Sequence, residues 1–245
     1  MRDYKVEQEK RVKFIAELIA SANASGIVLG NSGGKDSALV GILCKMACEN
    51  TVGIILPCGV SRNFQSDFDD AKALAEQFDI ETRVIDLSSV KTELMKVVSN
   101  AATLNDQATT NIAPRIRMAA LYAVAASENR LVAGTGNRSE RYVGYFTKWG
   151  DGAQDFNPIS DLTATEVFEF LRFLKAPASI IEKAPSAGLK EGQTDENEMG
   201  VTYGELDGFI ATKQCDNKDA VKKIERLHKI SEHKRKGVTF YKDID

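Results

Sequence analysis

The sequence is poor in the features that hold small or secreted proteins together. Its 245 residues include four cysteines, two histidines, five prolines and one tryptophan. Cys44, Cys48, Cys58 and Cys215 form no CxxC pair, and His228 and His233 lie far from them, which argues against a structural zinc site. Cys44 and Cys48, one helical turn apart in an apolar run, read as buried reduced thiols. No apolar stretch approaches the ~20 residues needed to cross a bilayer, and residues 1–7 are too charged for a secretory signal. A cytoplasmic protein without a membrane partner is expected. Neither sign of charge dominates: 32 Lys and Arg stand against 35 Asp and Glu, a net of −3. This weighs against nucleic acid as a partner. With 43% hydrophobic residues the chain is not disordered. At roughly 150 residues per domain it makes one large domain or two small ones. Folding would bury about 70% of the surface of the unfolded chain, enough for a core without staples.

The order of elements is more informative. Residues 4–23 read as an amphipathic helix through Val12, Ile15, Leu18, Ile19 and Ala22. A glycine-bounded apolar run at 26–30 reads as a buried strand, and helical spacing returns at 36–49. A second strand at 52–56 is stopped by Pro57. A helix over 67–78 has Asp67 as a candidate N-cap. A third strand at 82–86, helices at 89–99 and 112–127, and a fourth strand at 130–134 follow. Alternation of this kind predicts an α/β fold, a Rossmann-like parallel sheet with helices on both faces. Residues 135–161 and 185–200 read as long glycine-bearing loops, of the kind that is usually functional in a compact domain. Helices at 163–174, 178–183, 202–213 and 217–236 give a helical C-terminal segment. The expected division is a nucleotide-binding core over 1–160 and a helical part over 161–245, within one domain.

In parallel sheets ligands bind beyond the carboxyl ends of the strands. The first strand runs into Gly30-Asn31-Ser32-Gly33-Gly34-Lys35-Asp36-Ser37 and then a helix. Adjacent glycines turn backbone N–H groups inward and the helix start adds partial positive charge, so the loop suits phosphate. Ser32 and Ser37 offer hydroxyls. Asp36 repels phosphate and makes sense beside a divalent cation. A Walker A loop would need Ser or Thr at 36 and Gly at 29, where Asp36 and Leu29 stand, and GxGxxG is broken at Ser32. The pattern that remains, SGGxDS, arises by chance in a chain of this length with a probability on the order of 10⁻⁴ to 10⁻³.

This loop resembles that of the PP-loop ATP pyrophosphatases, which cleave ATP between the α- and β-phosphates. The runs 134–140, 144–152, 185–189 and 192–196, with Asn111, Arg115 and Arg117 in one helix, resemble the ammonia-dependent NAD synthetases in the same order over nearly the whole chain. The resemblance implies an adenine nucleotide alpha hydrolase-like fold and ATP-dependent amidation of deamido-NAD. The carboxylate would be adenylated, and ammonia would then expel AMP. It implies ATP on residues 30–37, Thr135 and Ser186, and Mg²⁺ on Asp36 and Glu140. It places deamido-NAD on Arg115, Lys148, Asp155, His233 and Lys234, with Asp151 positioning or deprotonating the nucleophile. A homodimer is implied too. The short length leaves no room for a glutamine amidase domain, so the expected nitrogen donor is ammonia, free or received from another subunit.

One departure stands out. The family commonly places a Lys that meets ATP phosphates where this chain has Ala164; either another cation replaces it, with Lys190 or Lys175 as candidates, or ATP is held with one ionic contact fewer. Read alone, several of these residues are ordinary: Glu140 is a loop carboxylate six residues after a strand end, Arg115 a helix-face cation, and His233-Lys234 part of a basic run. The competing readings are another PP-loop ligase, such as a GMP synthetase core, a tRNA thiolase or a lysidine synthase, and a nucleotide-sensing module without turnover.

Overall fold

The computed structural model describes residues 2–59, 64–183, 194–239 and 241. Helix α1 (Tyr4–Ser21) is started by Asp3, whose carboxylate accepts from the N–H groups of Lys5 and Val6. Strand β1 (Gly26–Gly30) leads through the glycine loop into α2 (Lys35–Ala47). Strand β2 (Thr51–Ile55), α3 (Phe64–Phe78), β3 (Glu81–Val84), α4 (Ser88–Ser99), α5 (Asp106–Glu128) and β4 (Arg130–Val132) complete the alternation. The four strands are all parallel, in the order β3-β2-β1-β4. Val28 faces Val52 on one side and Val132 on the other, so β1 is central and covered on both faces. That is why its residues run continuously apolar instead of alternating with polar ones. The edge strand β3 is polar and partly exposed, as an edge should be.

The pleat of β1 divides the core. Ile27 and Leu29 point to the face covered by α1, α2 and α7 (Ala164–Phe173), where Ile15, Leu39, Leu43, Val167 and Phe170 are fully buried. Val28 points to the opposite face with Val52, Ile54, Val132 and the apolar side of α5. The first cluster runs without interruption from Ile15 to Ile180, so residues on both sides of position 160 share one core. A third cluster joins α6 (Arg138–Val143), α10 (Tyr203–Thr212) and α11 (Lys218–Ile230). The short helices α8 (Ala178–Ile181), α9 (Asp195–Met199) and α12 (Glu232–Arg235) lie between and after these. Among the described residues no helix is long and apolar enough to cross a membrane.

Several sequence expectations need correction. Helix α3 begins at Phe64, so Asp67 lies inside its first turn, and its carboxylate pairs with Lys183 (2.6 Å) instead of capping. Helix α5 starts six residues earlier than its apolar periodicity suggested, with Asn105 accepting from Ala108 N–H as the cap. The stretch 135–161 contains α6, and 194–200 contains α9. The helix expected over 217–236 is broken at Ser231, whose hydroxyl bonds back to Leu227 O (2.6 Å). The strands at 82–86 and 130–134 end earlier, at Val84 and Val132. Cys44 is buried and its thiol is pushed up by that burial, whereas Cys48 is only half-buried; both are free.

Candidate functional site

The strand order decides where the chemistry collects. The chain leaves β1 toward β2 on one side, while β4 is laid down on the other, so the carboxyl ends of β1 and β4 flank the point where the winding reverses. The loop after β1 and the turn before α6 therefore meet. Asn137 Nδ2 donates to Asp36 Oδ1 (3.0 Å) across 101 positions of sequence.

The glycine loop after β1 is held from within. Asn31 N–H donates to Ile54 O (2.8 Å), and its side chain donates to Ala71 O (3.1 Å) and accepts from Gly33 N–H (3.4 Å). Gly33 has φ +75°, and a Cβ there would stand 2.1 Å from Asp67 O, so only glycine lets the turn lie this close to α3. The Ser32 and Ser37 hydroxyls are 3.0 Å apart, and Ser37 also donates to Gly34 O (3.0 Å). Ser32 is exposed at the mouth of the loop.

Glu140 is fixed by a reciprocal cap at the start of α6. Asn137 Oδ1 accepts from Glu140 N–H (3.0 Å), while Glu140 Oε2 accepts from Asn137 N–H (3.3 Å). Its other oxygen, Oε1, lies 3.7 Å from Lys35 Nζ, which is itself 2.6 Å from Asp36 Oδ2. Burial, then the Asp36 charge, push the Glu140 carboxyl up. Burial alone would lower the Lys35 ammonium, but Asp36 and Glu140 outweigh it and raise it. Tyr203, on α10, closes the site: its hydroxyl donates to buried Asp195 (2.9 Å), its ring lies under Lys35 Nζ at 5.3 Å, and burial among these carboxylates raises its pKa. Two carboxylates already gathered around a positive charge suit a hard divalent cation with oxygen ligands.

The expected dinucleotide residues form a second group. Arg115 Nε donates to Lys148 O (3.3 Å), Lys148 Nζ to His233 O (3.0 Å), and Lys234 Nζ to Gly144 O and Phe146 O (2.8 and 2.7 Å). Together they tie α5 and α12 to the 144–152 loop. An open cleft of about 480 Å³ lies there, lined by Lys148, Trp149, His233 and Lys236 among others. Trp149 is exposed, with φ +62° and Lys148 Nζ 5.5 Å from its ring centre. Asp151 Oδ1 accepts from Thr147 N–H (3.0 Å), and its charge opposes the lowering that burial imposes on Lys234. Asp155 stands apart from the cleft: Oδ2 accepts from Val132 N–H (2.7 Å) and Oδ1 from Tyr122 OH (3.1 Å). Thr135 lies two residues before Asn137 and is half-buried. Ser186 and Lys190 lie outside the described residues. Lys175 follows the far end of α7, about 15 Å of helix away from Ala164.

The NAD synthase family model matches residues 7–238. The NH₃-dependent NAD⁺ synthetase of Carboxydothermus hydrogenoformans is 44% identical over 237 residues, 96% of each chain. The chain belongs to the NAD synthase family. Among solved structures it is similar to the NMN synthetase of Francisella tularensis, with a TM-score of 0.92 and 38% identity, over 98% of this chain and 99% of that one. It is also similar to the NH₃-dependent NAD synthetase of Campylobacter jejuni, with a TM-score of 0.81 and 29% identity, over 99% of this chain and 100% of that one. These likenesses agree with the α/β fold and parallel sheet read from the sequence.

Three residues of the site carried no functional expectation. Asn137 had a local signal, since Asn three residues before Glu is a capping pattern. Tyr203 and Asp207 had none, because their importance comes from partners far away in sequence. Asp207, on α10, accepts from Ser139 Oγ, from Thr165 N–H (2.9 Å) and from Thr165 Oγ1 (2.7 Å).

Proposed function

We propose that this protein is a carbon–nitrogen ligase that joins ammonia to the nicotinic acid carboxylate of deamido-NAD, forming NAD, AMP and pyrophosphate from ATP. The observation that carries the proposal is the meeting of the SGGKDS loop with Asn137 and Glu140 at the winding reversal of the sheet. A phosphate loop alone would suit any nucleotide binder. A phosphate loop facing a second, half-buried carboxylate suits departure of pyrophosphate.

Each step has residues to perform it. Residues 30–37 cradle the ATP phosphates with inward N–H groups and the start of α2, with Thr135 at the nucleotide's flank; the resemblance adds Ser186 as a further ATP contact. Asp36 and Glu140 would hold Mg²⁺, which neutralises the charge developing on the departing pyrophosphate. Lys148 and His233 line the cleft beside Trp149, and with Arg115, Lys234 and Asp155 around it they would hold the anionic dinucleotide. The substrate carboxylate attacks the α-phosphorus and releases pyrophosphate. Ammonia then attacks the acyl carbon, AMP leaves, and Asp151 takes up the proton lost by nitrogen.

Ammonia as donor is supported by the relatives named NH₃-dependent. A homodimer is supported by α4, which leaves Val90, Leu94 and Val97 exposed along one face. The shared core across position 160 supports a single domain, and reduced cysteines fit a cytoplasmic protein.

The test is the product balance. With ATP, Mg²⁺, ammonium and deamido-NAD, the purified protein should yield NAD, AMP and pyrophosphate in equal amounts. AMP release without NAD, or no turnover, would overturn the assignment. The likeness to the Francisella NMN synthetase favours a second reading, amidation of the deamidated mononucleotide to NMN by the same chemistry. Comparing kcat/KM for the two substrates decides between them.

A further inference from the structure

Lys35 is the free letter of SGGxDS, and the structure gives it a particular place. It is 6% exposed, unusual for lysine. Its ammonium lies 2.6 Å from Asp36 Oδ2 and 3.7 Å from Glu140 Oε1, between the two carboxylates proposed to hold Mg²⁺. The rings of Tyr203 and Phe168 wall it in at 5.3 and 5.8 Å. Buried Asp195, held by Tyr203 OH, adds a third negative charge within reach of this ammonium. One buried cation thus serves three carboxylates, and such a cluster does not tolerate loss of its cation.

Mg²⁺ needs ligand oxygens at about 2.0–2.1 Å and strict octahedral geometry. An ammonium 2.6 Å from the same Asp36 oxygen occupies that ground, and two cations sharing one oxygen repel. We propose that Lys35 is a built-in stand-in for the metal. It neutralises the site while the site is empty, is displaced when Mg²⁺ enters, and swings on its four-carbon stem to the ATP phosphates. Phe168 lies one helical turn after Ala164, and Ala164 packs in the same cluster as Tyr203. Lys35 therefore brings a positive charge from α2 toward the start of α7, where Ala164 supplies none. Because nucleotide gives the displaced ammonium a partner, ATP and metal bind cooperatively, each tightening the other by the same factor.

This inference rests on the proposed ATP and Mg²⁺ site, and its test is independent of NAD formation. Mn²⁺ is titrated into the full-length protein and free Mn²⁺ is followed by electron paramagnetic resonance, with and without α,β-methylene-ATP. The native protein should bind Mn²⁺ weakly alone and about 10-fold or more tightly with the nucleotide. Lys35→Met should bind Mn²⁺ alone at least about 10-fold more tightly than native and lose the coupling to nucleotide, whereas Lys35→Arg keeps native behaviour. In chelator Lys35→Met should melt below the native protein and regain stability with Mg²⁺, while the native melting temperature without nucleotide is indifferent to Mg²⁺. Tight Mn²⁺ binding by the native protein without nucleotide overturns the proposal, even if Lys35→Met fails to fold. So does a Lys35→Met protein with unchanged Mn²⁺ affinity. If the protein made no NAD yet showed this metal behaviour, the function would fall and the role of Lys35 would stand.

Discussion

Replacing Asp207 by Ala tests whether the site is built by its supporting residues. Asp207 is 8% exposed and belongs to α10, but its work is done on α6 and α7. One carboxylate oxygen accepts from Ser139 Oγ, which in turn accepts from Ala164 N–H (3.0 Å). The other accepts from the N–H and hydroxyl of Thr165. A single charge thereby caps the start of α7 from outside and pins Ser139, the neighbour of Glu140. Hydrogen bonds to a charged group are worth about 1.5–3 kcal/mol each. The two hydroxyls can turn to other acceptors, but the Thr165 N–H cannot, because the N-cap of α7, Thr163, accepts from Glu166 N–H instead. A net destabilisation of about 3 kcal/mol, one hydrogen bond to a charged group lost in full, follows. For a chain of this size each kcal/mol moves the melting temperature by about 2–4 °C, so Asp207→Ala should melt about 6–12 °C lower by calorimetry. Ser139 would lose its anchor, so the variant should also bind Mn²⁺ and ATP more weakly, whereas Asp207→Asn, which keeps one acceptor, should recover part of both losses. A shift under about 2 °C would refute the cap argument. A large shift with unchanged Mn²⁺ affinity would show that Glu140 does not depend on Ser139.

Three further outcomes follow from the geometry. Gly33→Ala places a methyl 2.1 Å from Asp67 O at φ +75°; it should cost at least the ~1–2 kcal/mol of a left-handed alanine and abolish ATP binding by calorimetric titration, and native affinity would contradict the packing. Val97→Asp on the exposed face of α4 should shift the protein from dimer to monomer in light scattering, and an unchanged mass would exclude that face as the interface. Asp161, although desolvation acts to raise it, is held below the ordinary carboxylate range by the Arg11 guanidinium at 2.7 and 2.9 Å, helped by Arg2. Its stabilisation is present above the unfolded value of ~3.9 and is lost as pH falls through the folded one. Asp161→Asn should therefore melt lower at neutral pH and lose stability less steeply in acid; equal acid slopes for the two proteins would exclude the linkage.

Local signals and partner-dependent ones divide the legibility of this sequence. The apolar run of β1 and its glycine loop were readable because each depends on neighbours in the chain: a strand covered on both faces must be apolar throughout, and a tight phosphate loop must carry glycine at Gly33. The first turns of helix α5 are polar and hold no periodic apolar face, so periodicity places its start too late, although Asn105 caps them. Asp67 has the chemistry of a cap, but Lys183, 116 positions away, claims its carboxylate, and no local rule contains that partner.

The family resemblance pairs Asp36 with Glu140, but the residues alone carry no signal for that meeting, for a topological reason. Knowing four strands in sequence does not say which lie side by side, and the chemistry depends on it. Had β4 been added beyond β3, the turn holding Asn137 and Glu140 would open at the sheet's far edge, three strands from Asp36, and the SGGKDS loop would be a phosphate cradle with one carboxylate. With β4 paired to β1 through Gly26↔Arg130 and Val28↔Val132, the same residues enclose Lys35 from two sides. Two main-chain hydrogen bonds flank that pairing and hold it in place, Ser25 N–H to Asn129 O (2.7 Å) before the strands and Ala133 N–H to Val28 O (2.9 Å) at the end of β4. The position of β4, more than any single acidic residue, is what turns a nucleotide loop into a site able to carry away pyrophosphate.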